Sequence, residues 1–329
     1  MESYFIIDSH CDTIELIADY GLDVFHQQKC HVSLEGLKIG RVGLQFFAAF
    51  VTPRKKHPCL QRGLELIKAY QILMDNCSES FMPVLNFSDI NTARSQGKIG
   101  ALLTVEGGDV LEGNLHNLRI LYDLGVRAMT LTWNYANEIA DGVLENDSDR
   151  KLSTFGLKVI REMNRLGMLI DVSHLSEKGF YYVLETSEKP IAATHSNAWS
   201  VCPHPRNLKN DQIVCLAKAG GVMGINFYPP FLSKQYADIN DILRHIEYIA
   251  GIAGIDVIGF GSDFDGIEET LPDVCGPQDY ERIINALLRL NYKERDVKKI
   301  AYENYLRVLR EVLINGEQSE WSENTIENN

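Results

Sequence analysis

With 329 residues, 45% of them hydrophobic and 23% charged, the chain has room for one large barrel or two average domains and enough apolar side chains to bury a sizeable core. A formal net charge of −13 speaks against nucleic acid or an anionic membrane as partner, because polyanions are bound through clustered Lys and Arg. The seven scattered cysteines form no C-x-x-C pair and read as reduced packing thiols, and no apolar run reaches the roughly 18 to 20 residues of a membrane span.

Met1-Glu2-Ser3-Tyr4 lacks the basic start and long apolar stretch of a signal peptide, so a cytoplasmic location is expected. Along the chain, short and nearly continuously apolar runs predict strands at residues 4–8, 42–50, 99–105, 126–131, 168–172, 190–194, 221–227 and 257–261, the pattern of strands buried on both faces. The short basic cluster Arg54-Lys55-Lys56 is expected in a solvated loop. Apolar residues at helical spacing fall between the strands, over 60–74, 115–124, 155–166, 176–185, 211–219 and 239–253. Ser153 and Ser176 mark helix starts, while Gly125, Gly167 and Gly220 sit just past helix ends. Two more helices, near 279–290 and 294–313, follow the eighth strand. Eight strand–helix repeats favour a closed (β/α)8 TIM barrel over an open doubly wound sheet. The expected organisation is a single α/β domain over residues 1–314 and an acidic, disordered tail at 315–329.

Active sites of such barrels form where strands end, so the residues finishing each strand carry the functional signal. The first strand runs into Asp8-Ser9-His10-Cys11-Asp12, the third into Glu106-Gly107-Gly108, the fifth into Asp171-Val172-Ser173-His174, the sixth into Thr194-His195-Ser196-Asn197 and the eighth into Ser262-Asp263-Phe264-Asp265-Gly266. His10 and Asp12, two apart on extended backbone, face the same way and can hold one cation. Alone, Asp12 would read as a helix cap, and His174 or His195 as a satisfied core histidine. Three of nine histidines finishing three predicted strands, beside the partly buried carboxylate of Glu106, favour ligation instead. His26, His31, His57, His116, His204 and His245 keep the structural reading.

Imidazoles and carboxylates without a thiolate cluster suit zinc or another divalent first-row ion. Five such ligands exceed one tetrahedral site. If Glu106 bridges, His10 and Asp12 complete one site and His174 and His195 the other, with room for a bridging hydroxide between metals about 3.5 to 4 Å apart. Neither a phosphate loop, a dinucleotide fingerprint nor a nucleophile elbow competes with this arrangement.

Taken in order, these blocks, with Ser200-Val201-Cys202 and Arg206-Asn207 extending the sixth, resemble the membrane (renal-type) dipeptidase family, peptidase family M19, from residue 5 to about 312. The resemblance implies a metal-dependent hydrolase barrel with two zinc ions on His10, Asp12, Glu106, His174 and His195. It also implies that Arg206 grips the terminal carboxylate of a dipeptide substrate and that Asp263 handles the proton. Trp133, Asn134, Tyr228 and Phe231 are expected in the substrate pocket, and a homodimer is expected from the family habit.

Two positions depart from the family pattern. Trp133 stands after Met129-Thr130-Leu131-Thr132 where mammalian members carry a histidine, and Phe231 replaces a pocket tyrosine. The expectation is a soluble, prokaryotic-type dipeptidase, L,D-dipeptides included, with its own side-chain preference. Hydrolysis of another small amide, lactam or ester, or a catalytically silent barrel that only binds, are the alternatives.

Overall fold

The structure is a computed structural model that describes residues 5–22, 25, 30–53, 58–145 and 150–314. The basic cluster Arg54-Lys55-Lys56, His26, His57 and the acidic tail at 315–329 lie outside the described residues.

Among the described residues nine strands are present: β1 (Ile6–Asp8), β2 (Val42–Phe50), β3 (Phe81–Pro83), β4 (Ile99–Glu106), β5 (Val126–Thr130), β6 (Leu169–Asp171), β7 (Ala192–Ser196), β8 (Val222–Ile225) and β9 (Ile258–Phe260). Every ladder between them is parallel. The ring runs β1-β2-β4-β5-β6-β7-β8-β9 and returns to β1, closed by β2 against β4 from Leu44↔Gly100 to Phe50↔Glu106 and by β9 against β1 at Asp8↔Phe260. This is the closed eight-stranded α/β barrel the sequence pattern predicts, with each of the eight predicted strands in place.

The strand β3 is additional. It pairs with the first residues of β4, Phe81↔Ile99 to Pro83↔Ala101, on the side that β5 takes over from Leu103 onward. Three residues ending in a proline carry too little period-two signal to be seen in sequence.

The predicted helices form with boundaries shifted by a residue or two. Ser153 and Ser176 cap theirs, accepting from the backbone N–H of Gly156 at 2.9 Å and of Gly179 at 3.3 Å. Helices at Thr13–Tyr20, Leu34–Ile39 and Phe87–Ser95 were not anticipated, and the predicted final helix is interrupted by a π turn at Lys299–Glu303. Among the described residues no helix is long and apolar enough to cross a membrane.

Packing follows the two faces of the strands. Ile7, Leu44, Phe46, Leu102, Ala128, Leu169, Ala192 and Val222 form one buried cluster inside the barrel, joined from below by Tyr305, Val308, Leu309 and Val312 of the last helix, Asn304–Val312. The intervening residues, among them Phe47, Leu103, Met129, Ile170 and Met223, pack outward against the helices. Just above the floor, Ser9 donates to the Thr194 carbonyl at 2.6 Å across the axis and lies 2.5 Å from the Tyr305 hydroxyl. Gly261 is required beside it, since a Cβ there would lie 1.7 Å from the Thr194 oxygen.

Candidate active site

At the end of the barrel where the strands finish, the side chains that end β1, β4, β6 and β7 converge. Glu106 sits between them. Its Oε2 lies 3.3 Å from His10 Nε2, while its Oε1 lies 2.9 Å from His174 Nε2 and 3.4 Å from His195 Nε2. Asp12 Oδ2 approaches His10 Nε2 at 3.3 Å and Asp263 Oδ1 approaches it at 3.7 Å. All six side chains but Asp263 are buried, and Asp263 is nearly so. The groups His10, Glu106 and His195, and His10, Asp12 and Asp263, each bring donor atoms within 4.8 Å of one another, the spacing of a metal cradle.

Asp12 occupies the position before the helix Thr13–Tyr20 but makes no side-chain cap, and its Oδ1 is buried without a hydrogen-bond partner. The capping role that competes with ligation is therefore not the one its side chain plays. Gly266 explains how close this carboxylate packs: a Cβ there would stand 2.1 Å from Asp12 Oδ2 and 2.8 Å from Asp263 Oδ1.

The tautomers of two histidines follow from their outer partners. Thr194 Oγ1 donates to Asp171 Oδ2 at 2.6 Å, so at 2.9 Å from His195 Nδ1 it accepts, which places the ring proton on Nδ1. Asn134 Oδ1, 2.7 Å from His174 Nδ1, likewise accepts a proton from that nitrogen. Both Nε2 atoms then present lone pairs, 2.9 Å from each other and facing the Glu106 carboxylate. Burial, with Arg206 adding to it, presses His174 down to about 3, and burial with His10 lowers His195, so neither ring carries a positive charge at neutral pH. Burial opposes charge on His10 too, but Glu106 and Asp12 outweigh it and raise that imidazole well above its ordinary value. Burial raises Asp12 to about 7. Converging lone pairs and carboxylates, several without partners, are a donor set that fits divalent cations.

Buried carboxylates that the sequence reading left without a role hold the ligands in place. Asp171 accepts from Ser173 N and Thr194 N, each at 2.9 Å, and from the hydroxyls of Thr130 and Thr194, each at 2.6 Å. Asp8 accepts from Ser262 N at 2.9 Å and Ser262 Oγ at 2.6 Å, tying β1 to the loop that carries Asp263. Asn226 Nδ2 donates to Asp263 Oδ2 at 2.8 Å, which turns Oδ1 toward His10. A polar residue inside an otherwise apolar predicted strand was the available signal for Asp8, Asp171 and, within 221–227, Asn226, which the structure places just beyond β8. His174, Asp263 and Asp265 adopt left-handed backbone, with φ of 65°, 66° and 68°, so strained backbone gathers at this rim.

A cleft of about 470 Å3 opens over the cluster. Phe50, Trp133, Asn134, Arg206, Tyr228, Phe231 and Asp263 line it together with Glu106 and His174, so the structure brings every predicted pocket residue to one place. Asn134, expected among substrate contacts, spends its side-chain oxygen on His174. Arg206 is 5% exposed, donates from Nη2 to the His195 carbonyl at 3.1 Å and leaves Nε buried without a partner. Its guanidinium lies 5.6 Å from the Phe231 ring centre. Burial brings Arg206 down to about 10 while Asp263, Glu106 and Asp171 resist that fall, leaving it charged at neutral pH. His204, read from sequence as merely structural, also lines the cleft, its ring centre 4.4 Å from that of Phe231 and tilted by 39°.

Known proteins resemble this chain in sequence and in fold. A Klebsiella pneumoniae protein encoded in the region 5′ of pqqA, itself uncharacterised, is 37% identical over 239 residues, 69% of this chain and 88% of that protein. Dipeptidase AC, a metallo peptidase of family M19, superposes with a TM-score of 0.88 at 24% identity over 95% of this chain and 99% of its own. A metallo peptidase from Rhodobacter sphaeroides, solved with a phosphinate mimic of the dipeptide L-Ala-D-Ala, gives 0.87 at 23% identity over 94% and 100%. The pattern described as membrane dipeptidase (peptidase family M19) matches residues 1–323. The chain thus belongs to the membrane dipeptidase family, peptidase family M19, and is a metallo-dipeptidase.

Proposed function

We propose that the chain hydrolyses the peptide bond of dipeptides, L,D-dipeptides included, at a pair of divalent cations, zinc first among them. His10 and Asp12 would hold one cation, His174 and His195 the other, and Glu106 both. The observation that carries this reading is the Glu106 carboxylate, one oxygen toward His10 and the other toward His174 and His195. Such a cation pair supplies Lewis acidity, activating a water for attack and polarising the scissile carbonyl.

The protein's own groups do the rest. Arg206, buried and with a free Nε, takes the substrate's terminal carboxylate in a charge-assisted contact and so fixes the distance from that carboxylate to the scissile bond. Asp263 Oδ1, aimed by the Asn226 contact on Oδ2, accepts the proton of the attacking water and returns it to the departing amine. The Rhodobacter relative's phosphinate ligand is a mimic of an L,D-dipeptide, which supports including that stereochemistry here.

Metal analysis of the purified protein together with a panel of L,L- and L,D-dipeptides, a lactam and an ester tests the proposal. Two divalent ions per chain, loss of dipeptide turnover on chelation, recovery with zinc, and reduced metal content in Glu106→Ala are expected. A metal-loaded protein that cleaves the lactam or ester but no dipeptide would overturn it.

A further inference from the structure

The strand order fixes which side of the cleft faces which end of a bound dipeptide. Around the ring β1-β2-β4-β5-β6-β7-β8-β9, the strand opposite β7 is β2 and the strand opposite β9 is β5. Arg206 stands on the connection between β7 and the helix Asn210–Lys218. Phe50 ends β2, on the same face as Leu44 and Phe46 and in register with Glu106, and Trp133 follows β5. The two rings lie 5.5 Å apart, and Trp133 is 6.1 Å from the His174 ring and 5.8 Å from Tyr135. Leu144 completes this wall of the cleft and is 50% exposed. Asn134, beside Trp133, is engaged by His174 through its side-chain oxygen.

Resting on the dipeptidase reading above, we propose that Phe50, Trp133 and Leu144 form the subsite for the side chain of the N-terminal residue and select dipeptides in which that side chain is large and apolar. An extended dipeptide spans roughly 7 Å, at about 3.3 to 3.6 Å per residue. With its carboxylate on Arg206 and its peptide carbonyl over the Glu106 cluster, its first residue points away from β7 toward the β2–β4–β5 side of the ring, where Phe50 stands opposite β7 and Trp133 follows β5. Burying an aliphatic or aromatic side chain there removes apolar surface of both partners from water. A glycine or alanine at the same position leaves the wall wet.

The test is a series X-Ala with X as Gly, Ala, Leu and Phe, and a second series Ala-X, assayed with the zinc-loaded enzyme and with Phe50→Ala, Trp133→Ala and Trp133→Phe. The expected result is a rise in kcat/KM of about tenfold or more from X = Ala to X = Leu or Phe in the first series. Trp133→Ala and Phe50→Ala each shrink that ratio severalfold, Trp133→Phe keeps most of it, and the ratios within Ala-X do not change. A flat X-Ala series with measurable turnover overturns the subsite. So does a ratio unmoved by either alanine substitution, a ratio lost as fully in Trp133→Phe as in Trp133→Ala, or a change appearing in the Ala-X series instead. Absence of turnover for every dipeptide in both series strikes the dipeptidase reading itself, and the subsite with it.

Discussion

Acidification should loosen the segment that carries Arg206 through one buried histidine outside the Glu106 cluster. His245 is fully buried on the helix Ile239–Ala253, where Nδ1 accepts from the backbone N–H of Ala198 at 3.0 Å and Nε2 donates to the Leu232 carbonyl at 3.1 Å. It therefore ties the start of the Arg206 segment to the residue after Phe231. Protonation of Nδ1 would remove the acceptor for Ala198. Burial, with the charge of Arg244 adding to it, sends His245 from 6.5 down to about 4 despite its contact with Leu232.

Between those two values the unfolded chain binds a proton that the folded chain refuses. Stability is therefore lost as pH falls from about 6.5 toward 4, and above 6.5 this contribution vanishes. At about 1.4 kcal/mol per pH unit, the gap amounts to on the order of 3 kcal/mol. Urea unfolding of the metal-free protein between pH 7.5 and 4.5, compared with His245→Gln, isolates this histidine from the other titrating groups. The wild type should lose more stability than the variant over that interval, although the variant starts from a lower value at pH 7.5. Parallel pH dependences in the two proteins would refute the reasoning.

Asp263→Asn should retain bound metal, because all five proposed ligands remain and the amide oxygen can still face His10, and lose about two or more orders of magnitude in kcat; metal analysis beside steady-state kinetics separates the two effects. Arg206→Ala should raise KM for dipeptides severalfold to a hundredfold, while a substrate with an amidated C-terminus, already a poor one, should lose little further. Gly266→Ala forces a methyl group into the space of Asp12 Oδ2 and should weaken metal affinity, measured by competition with a chelating dye; unchanged affinity would mean that the loop yields without moving the carboxylate.

The barrel was legible because its eight strands are short apolar runs and, from the second onward, a helical pattern follows each one. Glu106, His174 and His195 were legible for a related reason: charged or titratable groups that finish such runs conflict with burial unless something binds them. What escaped notice had weak local signals. The helix Phe87–Ser95 begins with a reciprocal cap between Asn86 and Asp89, a pattern that is present in the sequence but precedes only a modest apolar face. The helix Leu34–Ile39 is too short for periodicity to show. Phe50 could not be placed at the cleft from sequence, since its neighbours are hydrophobic on both faces and only the register with Glu106 reveals which way it points. Asn226 and the Asp171–Thr194 pair act across strands distant in sequence, which no local pattern reports.

The contact of Tyr305 with Ser9 joins residues 296 positions apart, one step from His10. Tyr305 must therefore leave the ribosome before the interior can be sealed, and until then the apolar inner surface lacks the cover of Tyr305, Val308, Leu309 and Val312. Nascent chains of this protein should depend on chaperone shelter until that helix emerges, and a truncation that removes Tyr305 should disturb His10 through Ser9.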